Sequence, residues 1–166
     1  AKKLRKHAML VLCGQRHGLI ANLTRFVHFG PLPADLAKRH AAVLRVEAAY
    51  WEATIPGQTW GSAFAAAQKQ YKAEGFADEW ELHHQGGPTG YTGRDIIVTP
   101  GEKRLVHDGQ AVAWNPSITG TKTEDTYIID GDRRIVVTEA SDSWPRVTVK
   151  APLSGKPFVR PDILVR

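Results

Sequence analysis

The chain has 166 residues with 22 basic and 17 acidic side chains, a net charge of +5, and 42% apolar residues, which is enough to bury one core and excludes a disordered chain. The basic residues are scattered except for Lys2, Lys3, Arg5 and Lys6, read as a solvated terminus; no basic stripe interleaved with aromatics argues for nucleic acid. The lone Cys13 excludes an internal disulfide and a cysteine-ligated metal site, so a cytoplasmic setting is expected, and the longest apolar run, Ala8 to Cys13, is too short to span a membrane and lacks a signal-peptide pattern.

Ala8-Met-Leu-Val-Leu-Cys13 reads as a strand, and Gly18 to Phe29 as a second one paired with it through the turn Gln15-Arg16-His17. After Pro31 and Pro33, Asp35 is placed to cap a helix running to about Thr54, with Leu36, His40, Val43, Val46 and Tyr50 near one face. Pro56-Gly57 stops it. A second helix from about Thr59 carries Trp60, Phe64, Ala67 and Tyr71 at the period of one buried stripe and ends at Gly75. Four β-branched segments follow: Ile96 to Thr99, Ala111 to Trp114, Thr126 to Ile129 and Arg133 to Thr138. Asp130-Gly131 marks a hairpin within a mostly antiparallel sheet. The division expected is a domain over residues 1–150 and an extended C-terminal arm over 151–166, a stretch with three prolines.

Two features resist explanation as packing. His83-His84-Gln-Gly-Gly-Pro sets two adjacent imidazoles before a glycine-rich turn, followed by Tyr91-Thr-Gly93-Arg94-Asp95; and Gly120-Thr-Lys-Thr-Glu124-Asp125 places an acidic pair where a strand can return it to the same place. Together they predict a cleft in which His83 moves a proton near neutral pH, Glu124 fixes its tautomer or holds a substrate cation, Arg94 clamps a carboxylate and Tyr91 donates to an oxyanion. The plainer readings are a surface ion pair for Arg94-Asp95, a sheet aromatic for Tyr91, and turn residues for Asn22 and Asn115. His17, His28, His40 and His107 are assigned to surface or packing.

The element order, with Asn22-Leu-Thr24-Arg25, the His83 cluster, Trp114-Asn115-Pro116 and Thr123-Glu124-Asp125-Thr126, resembles the pita-bread family of methionine aminopeptidases, Xaa-Pro peptidases and creatinase, over roughly residues 8 to 140. The resemblance implies an α+β fold, two helices packed on a curved, mostly antiparallel sheet. It also implies hydrolysis of a C–N bond in a peptide or a small amide or guanidino compound. Metal-dependent members hold two divalent ions with two aspartates, a histidine and two glutamates. Carried over position by position, these fall on Val11, Asn22, His83 (His84 in a shifted register), Asn115 and Glu124, so one imidazole and one carboxylate remain. Two hard cations need several anionic oxygens between them, so no two-metal centre is expected. A mononuclear zinc or manganese site on His83, His84 and Glu124 is the variant reading, weakened because neighbours on an extended segment point to opposite faces.

Creatinase, which resembles these enzymes in fold and works without metal, is the precedent. Its Tyr-Tyr-Gly-Arg-Glu segment is similar to Tyr91 to Asp95 here, though Gly90 replaces a histidine. The family's domain normally begins with further helices and strands, whereas this chain begins near that domain's first metal-bearing strand. The fold expected is therefore an incomplete pita bread, its edge and cleft covered by an N-terminal region or by a homodimer. The leading functional expectation is a metal-independent hydrolase with catalytic His83, His84 and Glu124 and substrate-binding Tyr91, Arg94, Asn22 and Asn115. The alternatives are a residual metallopeptidase and a non-catalytic peptide- or protein-binding module.

Overall fold

β1 (His7–Arg16) and β2 (Leu19–His28) pair antiparallel, residue for residue, from His7 opposite His28 to Arg16 opposite Leu19. The expected hairpin is present, but its turn is His17-Gly18 and not Gln15-Arg16-His17. Both turn residues have positive φ, 52° and 84°, the pair of left-handed residues whose twist matches that of the strands. This computed structural model describes residues 3–166, so Lys2 of the basic terminus lies outside the described residues.

Helix α1 (Ala34–Ala53) is not capped by Asp35. Its N-cap is Pro33, whose ring fixes φ at −61° and directs the chain into the first turn, and Asp35 instead pairs with Arg39 at 2.7 Å. Helix α2 (Trp60–Ala73) is capped as expected, with Thr59 Oγ1 accepting the Ser62 N–H at 3.1 Å. At its end Gly75 is left-handed and the Phe76 N–H reaches the Tyr71 carbonyl at 2.9 Å. Both expected apolar stripes are buried. Helix α1 buries more than its stripe, including the carboxylate of Glu47, which has no solvent exposure.

The helices pack on an antiparallel sheet. β3 (Gly86–Thr89), β4 (Ala111–Trp114), β7 (Tyr127–Asp130) and β8 (Arg133–Val136) follow that order across it, and a small hairpin of β5 (Ser117–Ile118) and β6 (Thr121–Lys122) leaves it between β4 and β7. Two expectations change here. Gly86 to Thr89, read as a turn, is a strand, and Ile96 to Thr99, read as a strand, is irregular backbone beside it. Asp95 and Val98 donate to the carbonyls of Pro88 and Gly86, each at 2.9 Å. The reason is contact distance: a Cβ on Gly87 would lie 2.4 Å from the Ile96 carbonyl oxygen, so this approach is open only to glycine. The Asp130-Gly131 hairpin forms one residue later, with Gly131-Asp132 as its loop.

Trp114 stands at the centre of the core, stacked on Tyr50 with centroids 4.2 Å apart and donating its indole N–H to Thr54 Oγ1 at 2.9 Å. After β8 the chain forms β9 (Arg146–Lys150), β10 (Pro157–Pro161) and β11 (Leu164–Val165). β9 and β10 pair antiparallel, while β11 lies parallel beside β2. Residues 151–166, expected as an arm, thus carry two strands. From β10, Arg160 enters the interior and donates to Glu47 at 2.7 Å and to Asp125 at 2.6 Å, while Arg25 of β2 holds the other oxygen of Asp125 at 2.7 Å. Two carboxylates and two guanidinium groups in this network join α1, β2, β10 and the loop after β6. Asp125 is therefore a structural anion, and Glu124 alone of the acidic pair faces the site.

Candidate functional site

The loop after β6 is held to β2 by backbone and side chain. The Thr24 N–H donates to the Glu124 carbonyl at 3.0 Å, and Thr126 Oγ1 bonds both the N–H and the carbonyl of Asn22, at 2.7 and 3.0 Å. This brings Glu124, on which the family's second glutamate falls, against the Asn22-Leu-Thr24-Arg25 segment. The histidine segment is positioned from α2: Tyr71 donates its hydroxyl to Gln85 Oε1 at 2.8 Å, and Gln85 Nε2 donates to the His83 carbonyl at 2.6 Å. Tyr71, read only as core, is thus also a positioning residue.

Glu124 is 3% exposed, and cations and a hydroxyl occupy both its oxygens. Oε1 accepts from Arg94 at 2.6 Å; Oε2 accepts from Thr24 Oγ1 at 2.7 Å and pairs with Lys122 Nζ at 2.9 Å. Arg94 also donates to the Gly93 carbonyl at 2.5 Å, so it is neither the partner of Asp95 nor a free clamp; Asp95 accepts from Thr92 instead. Burial alone pushes Glu124 upward, but Lys122, Thr24 and Arg94 together outweigh it and hold the carboxyl below its ordinary value. A depressed folded value means that ionised Glu124 stabilises the fold above the unfolded pKa of about 4.3, and that this contribution disappears as pH falls through the folded value. Lys122→Met removes the strongest of the lowering influences. The expected result is a stability gap between the parent chain and the variant that is present above about pH 4.3 and narrows as pH falls, read from urea-denaturation midpoints; a gap that does not change with pH would refute this.

His83 and His84 stack with ring centroids 4.5 Å apart and 24° between planes, contrary to the expectation that neighbours point to opposite faces. Both lie below the ordinary imidazole value. Burial is the main cause, aided by the charge of Lys122 at His83 and by His83 itself at His84. His83 Nδ1 is buried without a hydrogen-bond partner among the described residues, and no bond joins His83 to Glu124, so Glu124 does not fix its tautomer. A cleft of about 570 Å³ opens beside His83, lined by Met9 and Val11 of β1, Leu82, Ile118 and Lys122.

The remaining candidates lie further out. Asn22 is fully buried and donates to Thr89 Oγ1 at 3.1 Å and the Gly93 carbonyl at 3.3 Å. Asn115 is buried beside Gly86, and Tyr91 is 76% exposed, its ring against Gly18 at the hairpin tip. A side chain at position 90 would meet the Asp95 carboxylate at 2.9 Å, so the creatinase-like histidine would require that carboxylate to move. Lys122 and Thr24 were not singled out from the sequence. Both stood inside quoted segments, Thr24 in Asn22-Leu-Thr24-Arg25 and Lys122 in Gly120-Thr-Lys-Thr-Glu124-Asp125, with nothing in the sequence to mark them as partners of Glu124.

The profile of metallopeptidase family M24 matches residues 1–139. The chain belongs to this family. Among solved structures, this M24 chain is similar to prolidase from Thermococcus sibiricus, with a TM-score of 0.74 and 20% identity over 86% of this chain and 41% of that one. It is also similar to prolidase from Pyrococcus furiosus, with 0.70 and 18% over 81% and 42%. The N-terminal domain of the FACT complex subunit SPT16 from chickpea gives 0.67 and 16% over 82% and 36%. No curated protein matches. These likenesses establish an incomplete pita-bread fold, and the chain spans about two-fifths of the length of the prolidases it matches. Among the described residues no helix is long and apolar enough to cross a membrane.

The family's metals do not fit the residues present in this M24 chain. Val11 offers no donor, Asn22 and Asn115 offer only neutral amide oxygens, and both oxygens of Glu124 are engaged. At an effective dielectric of ~20, a divalent ion ~4 Å from a unit charge interacts by about 8 kcal/mol. At equal distances Arg94 and Lys122 would therefore repel it with twice the energy by which Glu124 attracts it. No group of three or more His, Cys, Asp or Glu among the described residues is arranged as a ligand set.

Proposed function

We propose that this M24 domain binds a peptide segment carrying an acidic group and does not depend on metal, two fixed cations standing where the family's chemistry requires divalent ions. The single observation that carries this reading is the saturation of Glu124 by Arg94, Lys122 and Thr24. Two cations share one carboxylate, and one of them, Lys122, lines a largely apolar cleft. The carboxylate that lines this cleft, Glu79, accepts from the N–H and hydroxyl of Thr119 and keeps its negative charge, so the attraction for an acidic group is local to Lys122. A creatinase-type guanidino substrate fits poorly, since its cation would compete with Arg94 for the same oxygens. A mononuclear zinc or manganese ion meets the same repulsion.

The lone exposed thiol, Cys13, suits a reducing cytoplasm. The reading treats residues 1–150 with β10 and β11 as one binding unit, and the partner as a protein or peptide. The expected result is that a labelled acidic pentapeptide binds at least about tenfold tighter than its lysine counterpart, about 1.4 kcal/mol. Lys122→Met should abolish that preference, EDTA should leave it unchanged, and mass spectrometry should find the peptide intact. Equal binding of the two peptides would sink the reading.

One observation favours a second reading, metal-independent hydrolysis: burial, with the charge of Lys122, holds the His83 imidazole below its ordinary value, and its Nδ1 has no partner among the described residues. Cleavage of an Xaa-Pro dipeptide that survives EDTA and is lost in His83→Ala would establish it.

A further inference from the structure

β1 is apolar along most of its length, and both its faces are open. Met9, Leu10, Val11 and Leu12 are 52%, 50%, 51% and 57% exposed. Its outer edge is also unpaired among the described residues, where its only strand neighbour is β2. Which backbone groups that edge presents follows from β2. Ile20 and Thr24 direct their N–H groups away from β1, to the carbonyls of Gly90 and Glu124, so the odd-numbered residues of β2 face β1. The register sets Leu23 opposite Leu12 and Arg25 opposite Leu10, which leaves Met9, Val11 and Cys13 with N–H and C=O groups turned outward. No hydrogen bond between described residues reaches them.

Natural edge strands are short, bulged or covered; this one is ten residues long and lies without a bulge beside the cleft, to which it contributes Met9 and Val11. Its charge surroundings specify the occupant. Lys3, Arg5 and Lys6 stand at one end of β1 and Arg16 at the other, so both ends of the strand are basic, while Glu79 lies on the cleft beside its centre. A second copy is therefore unsuitable. Antiparallel self-pairing about Val11 sets Lys6 opposite Arg16, and parallel self-pairing sets each basic residue opposite itself, like charges that destabilise a strand pair.

Resting on the proposed binding reading, we infer that β1 receives an extended partner strand with an apolar centre and acidic flanks, added to the sheet by backbone hydrogen bonds. Its inward side chains lie on Met9 and Val11, and its acidic end reaches Lys122. The edge that the sequence expectation assigned to an N-terminal region or a homodimer is in this proposal assigned to a heterologous partner.

The probe is the labelled peptide Asp-Glu-Val-Thr-Val-Thr-Val-Asp-Glu, titrated by fluorescence anisotropy against the whole chain. Two further versions carry N-methyl groups on alternate residues, one set on each peptide edge. One version is expected to lose at least about tenfold in affinity and the other to keep it, because only one edge of the peptide faces β1. Val11→Pro, which removes an outward N–H, is expected to weaken the unmethylated peptide similarly. Two methylated versions that bind alike would overturn the inference, as would a chain that dimerises through β1 in light scattering and is returned to monomer by Val11→Pro. The two readings separate cleanly: binding lost in Lys122→Met but indifferent to methylation keeps the cleft and removes the edge. Binding sensitive to methylation but indifferent to Lys122→Met keeps the edge and removes the cleft.

Discussion

Replacing Arg160 by leucine is expected to cost about 3–5 kcal/mol of folding stability, the range for removing one partner of a buried ion pair. For a chain of this size that is about 10 °C in Tm. The guanidinium is 4% exposed and donates to Glu47, which is fully buried, and to Asp125, which is 1% exposed. Without it Glu47 is left as an uncompensated interior charge, and burial already pushes its carboxyl upward. The loss has a second source, since the guanidinium lies 4.6 Å above the ring of Trp51. The double variant Arg160→Leu, Glu47→Leu separates the two. If the stranded charge dominates, chemical denaturation will show the double variant more stable than the single one; a double variant that loses further stability would assign the effect to packing.

Gly86→Ala is expected to lower stability by about 3 kcal/mol, from left-handed strain of about 1–2 kcal/mol and steric overlap of about 1–3 kcal/mol. Gly86 has φ of 93°, and a Cβ there would lie 2.2 Å from the Ala113 carbonyl oxygen and 3.0 Å from Asn115 Oδ1. Ala113 is in β4, so neither backbone can move without opening the sheet that holds the histidine segment. Gly93→Ala, where nothing lies within 4 Å, is the control and is expected to change stability by less than about 0.5 kcal/mol. Equal effects at the two positions would show that the glycines of this cluster are not chosen for close approach.

Periodicity carried much of the fold. The stripes of α1 and α2, the opening hairpin and the strands near Trp114 and Ile129 all follow from spacing that packing then satisfied. What the sequence misplaced lies where close contact overrides propensity: Gly86-Gly87-Pro88-Thr89 has no strand character by composition, yet becomes a strand because only glycine permits the approach of residues 95–98. In the site, the family pattern identified Glu124 and the histidine segment but not what neutralises Glu124. Lys122 carries no motif, and Arg94 was assigned to a substrate because nothing in one dimension shows that it folds back on Glu124. The ion network of Glu47, Asp125, Arg25 and Arg160 was equally hidden, since its bonded pairs are separated by as many as 113 positions.

The central claim is that fixed cations replace the metals of this M24 site. Isothermal titration of chelator-stripped protein with Mn²⁺ and Zn²⁺ near pH 7 tests it most directly. The account predicts no stoichiometric binding and an unchanged Tm at millimolar metal. Stoichiometric binding that is abolished by Glu124→Gln would contradict it.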